Sequence, residues 1–175
     1  LKPGDYLNYV PRIFKVKIIT LSDRASQGFY EDRSGPRINQ LTREFFEKNN
    51  RKHDIQNVII PDDESELTRE IQNGLEAKVD IIFTTGGTGI GPRDITPDVV
   101  QPMLDKEITG IIELIRVKYG MEKPNALLSR GVAGVIDKSL VYTMPGSPKA
   151  IQEYTHEIFK TVMHSMQMLH DINAH

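Results

Sequence analysis

Residues Ile13-Phe14-Lys15-Val16-Lys17-Ile18-Ile19-Thr20-Leu21 form a run whose middle is nearly all apolar or β-branched. Such a run suits a strand buried on both faces, as strands of parallel sheets are. Two more runs of this kind follow: Val58-Ile59-Ile60, which stops at Pro61, and Asp80 to Thr84. Between them lie helical patterns. Ile38, Leu41, Phe45 and Phe46 recur at helical spacing after Pro36, and Leu67, Ile71 and Leu75 share one face of a helix over 64–76. Strands alternating with helices predict an α/β domain of three layers, α/β/α, around a mostly parallel sheet. In that architecture ligands sit beyond the carboxyl ends of the strands. The segments that follow each apolar run are therefore the first places to look for a site.

The second half of the chain continues the pattern less regularly. A helical stretch is broken by Pro102, and another runs from about Glu107 to Tyr119. Pro124 starts a short helix, Asn125 to Ser129. Val132 to Ile136 and Leu140 to Thr143 read as a hairpin turning at Asp137-Lys138. The last helix is capped by Ser147, has Pro148 in its first turn, and buries Ile151, Tyr154, Ile158, Val162, Met166 and Leu169. The expected organisation is one domain over residues 13–172, preceded by a short arm, residues 1–12.

A chain of 175 residues buries roughly two thirds of its unfolded surface and needs no staples. It has no cysteine, which excludes disulfides and thiolate metal sites. With 22 basic and 24 acidic residues there is no basic excess of the kind that marks nucleic-acid binding. No apolar run is long enough to span a bilayer. The arm carries no apolar core of a targeting segment, so a cytoplasmic protein is expected. The histidines at 53, 156, 164, 170 and 175 show no metal-binding spacing and read as surface residues.

The chemistry concentrates in Thr84-Thr85-Gly86-Gly87-Thr88-Gly89-Ile90-Gly91-Pro92-Arg93-Asp94-Ile95-Thr96-Pro97-Asp98. Four glycines in six residues let a backbone approach a ligand closely, and their free N–H groups form an anion-binding concavity. The stretch is neither a Walker A loop nor a dinucleotide fingerprint. It ends at a helix start, with Thr96 placed to cap and Pro97 at the first helical position. Asp94 lies before that cap, in the loop itself, whereas Asp98 suits the dipole of the next helix. Asp62 follows Pro61 at a strand end, although Asp62-Asp63-Glu64 also reads as an acidic helix start. In the loop of residues 22–35, Ser22, Asp23 and Ser34 are the site candidates. Met144-Pro145-Gly146-Ser147-Pro148 offers a helix N-terminus to an anion. Arg93, Arg130 and Lys149 are candidate charge partners.

Taken together these segments resemble the molybdopterin adenylyltransferase family: the MogA-like proteins and the related G domains of gephyrin and of its plant counterpart. The resemblance covers about Phe14 to Gln152. It is carried by Leu21-Ser22-Asp23-Arg24-Ala25-Ser26, the glycine loop with Pro92-Arg93-Asp94-Ile95-Thr96-Pro97, Leu128-Ser129-Arg130, and Met144-Pro145-Gly146-Ser147-Pro148. It implies the molybdopterin-binding fold and a Mg²⁺-dependent transfer of AMP from ATP to the terminal phosphate of molybdopterin. By motif, the family's two important aspartates fall on Asp62 and Asp94, as catalytic and metal-holding residues. Substrate and phosphate binding then falls to Ser22, Asp23, Ser34, Thr85, Gly86, Gly87, Thr88, Gly89, Arg93, Ser129, Arg130, Pro145, Gly146 and Ser147. The resemblance further implies a homotrimer acting before a molybdate-inserting ligase. A noncatalytic molybdopterin carrier or scaffold of the same fold is the main alternative, and an unrelated nucleotide-binding α/β domain is the blander one.

Overall fold

Strand β1 (Ile13–Leu21) lies inside the sheet and sends its side chains alternately to two cores. Phe14, Val16 and Ile18 belong to one cluster, Ile19 and Leu21 to the other. The same division runs along β3 (Ile81–Thr85) and β6 (Ser139–Met144). Ile81, Phe83, Leu140, Tyr142 and Met144 join the first cluster, Ile82 and Val141 the second. These are strands covered on both sides, as their apolar composition requires. With β2 (Lys52–Ile60), β4 (Lys106–Glu107) and β5 (Ala133–Ile136) they form one sheet of order β2-β1-β3-β6-β5-β4. The computed structural model describes residues 13–170. The expected arm, residues 1–12, and the last residues of the expected domain lie outside them.

The first face is covered by α2 (Ser34–Lys48), α5 (Thr109–Gly120), α6 (Pro148–Ile158) and α7 (Val162–Leu169). Ile38, Phe46, Ile112, Ile115, Ile151, Ile158 and Met166 enter the core there. The second face is covered by α3 (Glu64–Glu76), through Leu67 and Ile71, and by α4 (Thr96–Val100), through Val100. Each fully buried side chain of this size contributes about 1.5–3 kcal/mol. That is enough to hold both helical layers against the sheet. The three-layer, mostly parallel architecture is thus present. β2, β1, β3 and β6 pair in parallel, while β5 runs against β6 and β4 against β5. Among the described residues no helix is long and apolar enough to cross a membrane.

Register places the site. Leu21 pairs with Ile60, Thr20 with Thr85, and Thr85 with Met144. The four parallel strands therefore end at one level, and the loops leaving them start side by side. Strand order also reverses between β1 and β3, the position where open sheets leave a crevice.

Several elements depart from the sequence-based expectation. β2 begins at Lys52, not Val58. It is an edge strand whose first half alternates polar and partly buried residues, and His53 stacks on Phe46 of α2. Within the expected loop, α1 (Asp23–Ser26) forms because Ser22 Oγ accepts from the Ala25 N–H at 3.2 Å. α2 starts at Ser34 rather than near Pro36, since Asp32 accepts from the Ser34 and Gly35 N–H groups. The long last helix is two helices. After Ile158, Thr161 donates to the Ile158 carbonyl through both its N–H and its hydroxyl, diverting the backbone. Thr96 is no cap: it is the first residue of α4, and its hydroxyl donates to the Gly86 carbonyl at 2.9 Å. Ser147 does cap α6, accepting from the Ala150 N–H at 3.1 Å.

Candidate functional site

The loops at the strand ends are joined by hydrogen bonds that cross from one to the next. Thr85 Oγ1 donates to the Pro145 carbonyl at 3.0 Å, and the Gly86 N–H donates to Met144 O at 3.0 Å. Ser34 Oγ donates to the Gly146 carbonyl at 2.6 Å. Asp23 and Asp62 exchange a reciprocal pair: each carboxylate accepts the other's backbone N–H at 3.0 Å. Arg93 then reaches across to Asp23, with Nη2 at 2.9 and 2.8 Å from its two oxygens. Ser34, Thr85 and Gly86 are thus tied to the loop at 144–146, and Asp23, Asp62 and Arg93 to one another, with Ser22 bonded to Ile60 and Ala25 beside them. The hydroxyls of Ser22, Ser34 and Thr85 already serve protein groups.

The two aspartates of the reciprocal pair differ electrically. The N–H of Asp62, then Arg93, hold the Asp23 carboxyl below its ordinary value. Burial pushes Asp62 upward, against the bond from the Asp23 N–H, and the charges of Asp23 and Asp94 push the same way as burial. Asp62 and Asp94 are therefore electrostatic neighbours at one edge of the sheet.

The glycine loop folds around Asp94. Asp94 Oδ2 accepts the Gly91 N–H at 2.8 Å, and a Cβ added at Gly89 would lie 2.6 Å from the same oxygen. Gly87 holds φ at +64°, and a Cβ there would lie 2.6 Å from Thr96 Oγ1. Gly87 is held by both space and conformation, and Gly89 by the closeness of the Asp94 carboxylate alone. The exit of the loop is held by Arg130. Its Nε donates to Gly89 O at 2.7 Å, its Nη2 to Asp94 O at 2.6 Å, and Nη1 and Nη2 meet Asp98 at 2.8 and 3.0 Å. The Arg130 N–H also donates to Thr88 O. Arg130 is thereby a brace of the loop, and it lowers the pKa of Asp98.

Beside this loop opens a cleft of about 580 Å³. Gly87, Thr88, Gly89, Asp94, Ser129, Pro145, Gly146 and Ser147, all expected site residues, line it. Among the described residues the N–H groups of Gly87, Thr88 and Gly89 donate to no protein acceptor. Ser129 Oγ accepts from the Tyr154 hydroxyl at 3.1 Å and stands 3.4 Å from Thr88 Oγ1. Asp62, Asp23, Arg93 and Arg130 stand outside the lining.

The opposite wall comes from α5, α6 and the 3₁₀ turn at 124–128, and sequence reasoning missed most of it. Arg116, Tyr119, Lys123, Asn125, Leu128, Glu153 and Tyr154 line the cleft there, with Lys149 at the start of α6. Lys123 Nζ donates to Glu153 at 2.9 Å. The neighbouring Lys123 ammonium lowers the pKa of Lys149. Three cations thus line the cleft against two carboxylates, Asp94 and Glu153. Those on α5 and α6 sit at the helical spacing of an ordinary amphipathic surface. The one available signal was a pair of lysines close to two motifs, Lys149 in Ser147-Pro148-Lys149 and Lys123 before Pro124.

Comparison with known proteins places the chain in a family. Residues 17–165 match the family described as probable molybdopterin binding domain. Gephyrin of Dictyostelium discoideum is 36% identical over 160 residues, 88% of this chain but 22% of that protein. Molybdenum cofactor biosynthesis protein B of Staphylococcus aureus is 33% identical over 172 residues, covering 97% of this chain and 98% of its own. Molybdopterin adenylyltransferase of Helicobacter pylori is 33% identical over 155 residues, 88% of this chain and 86% of its own. The crystal structure of the tungsten cofactor synthesizing protein MoaB from Pyrococcus furiosus superposes with a TM-score of 0.80 at 32% identity, covering 92% of this chain and 99% of that one. The chain belongs to the molybdopterin-binding domain family.

Proposed function

We propose that the protein adenylylates molybdopterin: it transfers AMP from ATP to the terminal phosphate of the pterin and releases pyrophosphate. The observation that carries this reading is the single cleft in which the free N–H groups of Gly87 to Gly89, the Asp94 carboxylate and the N-terminus of α6 converge. A phosphate oxygen of the pterin attacks the α-phosphorus of ATP, and the bond from that phosphorus to the bridging oxygen breaks. The electron pair leaves with pyrophosphate. No strong base is needed, because a phosphate oxygen is already ionised near neutral pH.

The obstacle is repulsion. Two unit charges 4 Å apart repel by about 4 kcal/mol at an effective dielectric near 20. The protein meets it with preorganised donors: the loop amides, the α6 N-terminus and the cations of the opposite wall. Positioning of the two anions supplies much of the remaining rate. On this reading Lys149, in the first turn of α6, takes charge on the leaving group.

The residues also suit Mg²⁺. Among the described residues no group of three or more acidic or histidine side chains forms a ready cage. Mg²⁺ bound with substrate phosphates needs only one or two carboxylates. Asp94 and Asp62 each keep one carboxylate oxygen that accepts from no donor among the described residues. Burial and neighbouring carboxylates disfavour the charge on Asp62, as suits a group that meets a cation. Asp94, with Asp62 beside it, would hold the ion, which when bound offsets phosphate charge.

On this reading the protein works in the cytoplasm and hands its product to a molybdate-inserting ligase. It is a homotrimer, joined through the apolar face that Leu114 and Val117 of α5, and Met121 just after it, leave exposed next to Leu127 and Leu128. Val117→Glu should lower the sedimenting mass from trimer to monomer. The decisive assay supplies pure protein with molybdopterin, ATP and Mg²⁺. Adenylylated pterin and pyrophosphate are expected in equal amounts. Retention of pterin without AMP transfer at saturating ATP would make the protein a carrier.

A further inference from the structure

We propose that Arg116 is the side chain that receives a phosphate group of the ligand inside the cleft. The inference rests on the cleft being the ligand site, as in the reading above. Arg116 follows Ile115, which is buried in the core at 1% exposure, so its stem leaves a fixed point on α5. Arg116 lines the cleft with Thr88, Gly89 and Ser129. Its Nε is buried and has no acceptor. Its one hydrogen bond among the described residues, from Nη2 to the Gly131 carbonyl, is 3.4 Å long, outside the usual range. Among the described residues it makes no salt bridge, whereas Lys118 on the same helix is 2.6 Å from Glu157.

A guanidinium does not escape this position by losing its proton. A half-buried cation with unmatched donors costs stability unless something outside the protein supplies acceptors. A phosphate does so in the geometry a planar fork prefers, with two parallel N–H donors. The hydroxyls of Thr88 and Ser129 and the free Gly89 N–H stand around the same space to take the remaining oxygens. Arg130, which its motif makes the more obvious phosphate ligand, has its donors engaged by Asp98 and two carbonyls. The two arginines thus divide the work: Arg130 holds the loop, and Arg116 holds the anion.

The phosphate belongs either to the nucleotide or to the pterin, and binding measurements on Arg116→Gln distinguish them. ATP is titrated by calorimetry and molybdopterin by fluorescence, each against wild type, Arg116→Gln and Arg116→Lys. The glutamine variant should weaken one or both ligands by about tenfold or more, the worth of charge-assisted hydrogen bonds, and lysine should restore part of it. The ligand that weakens owns the phosphate. The melting temperature of Arg116→Gln should equal or exceed that of wild type, because an unmatched cation is removed. Unchanged affinities, or a loss accompanied by a lower melting temperature, would overturn the assignment, as would failure of wild type to bind either ligand. If both ligands bind but no AMP is transferred, the adenylylation reading fails while the Arg116 result stands.

Discussion

The cleft has two walls, and they are built in opposite ways. The wall made by the strand-end loops is stitched together. Thr85 holds Pro145, Ser34 holds Gly146, Thr96 holds Gly86, and Arg130 holds Gly89 and Asp94. Most of its side-chain polar groups are already satisfied by protein, and what it offers a ligand is backbone N–H groups and one carboxylate. The helical wall offers side chains instead. Among the described residues Arg116 has no salt bridge, Lys149 stands beside Lys123, and Tyr119 and Asn125 complete the surface. The difference teaches a division of labour: the loops set the shape of the cleft, and the helices bring most of its side-chain charge.

That division can be broken from the loop side first. Gly89→Ala adds a methyl 2.6 Å from Asp94 Oδ2 and must displace that carboxylate, with no strained φ to confuse the result. Adenylyl transfer should fall by about 10²-fold, since misplacing a reacting group by 1 Å has that cost, while thermal stability changes little. An effect confined to melting temperature would mean that the loop's shape serves only the fold. The next largest effect is expected at Arg130. Arg130→Gln should cost about 2 kcal/mol in chemical denaturation, typical of losing hydrogen bonds made by a charged group. Its ATP affinity should fall less than that of Arg116→Gln. The reverse ranking would exchange the roles of the two arginines.

The smallest effect tests the support of the helical wall. Glu157 is buried between Lys118, Lys160 and the Tyr119 hydroxyl, at 2.6, 2.7 and 3.0 Å. Bonding from Lys118, then Lys160, lowers its pKa from 4.5 to about 2. A lowered folded-state pKa means stability that is complete above pH 4.5 and is lost as pH falls toward 2. Glu157→Gln should remove about 1 kcal/mol at pH 7, one net hydrogen bond's worth, and should flatten this part of the acid profile measured by thermal melting. An unchanged profile would show that the α5–α6 contact does not depend on this carboxylate.

The two walls also differed in how far they could be read from sequence. The loop wall was legible because each apolar run ends at a punctuating residue, such as Pro61 or Gly86, and parallel strands bring such ends to one edge. The misreadings there were local. Thr96-Pro97-Asp98 has the composition of a capping sequence, yet the Thr96 hydroxyl is taken by a carbonyl ten residues earlier. Arg130 looks like an anion ligand until Asp98 and the loop carbonyls are seen around it. The helical wall was illegible for a stronger reason. Periodicity separates buried from exposed positions on a helix, but it does not say which exposed positions face another element. Arg116 and Glu153 line one wall of the cleft only because α5 and α6 pack on the same face of the sheet, and no pattern along either helix encodes that neighbourhood.

The central claim is that this cleft joins a pterin phosphate to the α-phosphorus of ATP with Asp94 as the essential carboxylate. Its most direct test is the rate of AMP transfer to molybdopterin by wild-type protein and Asp94→Ala at saturating ATP and Mg²⁺. Transfer by wild type and a loss of about 10²-fold or more in the variant, with pterin still bound, is the expected result. Equal turnover by the two proteins, or none by either, would contradict it.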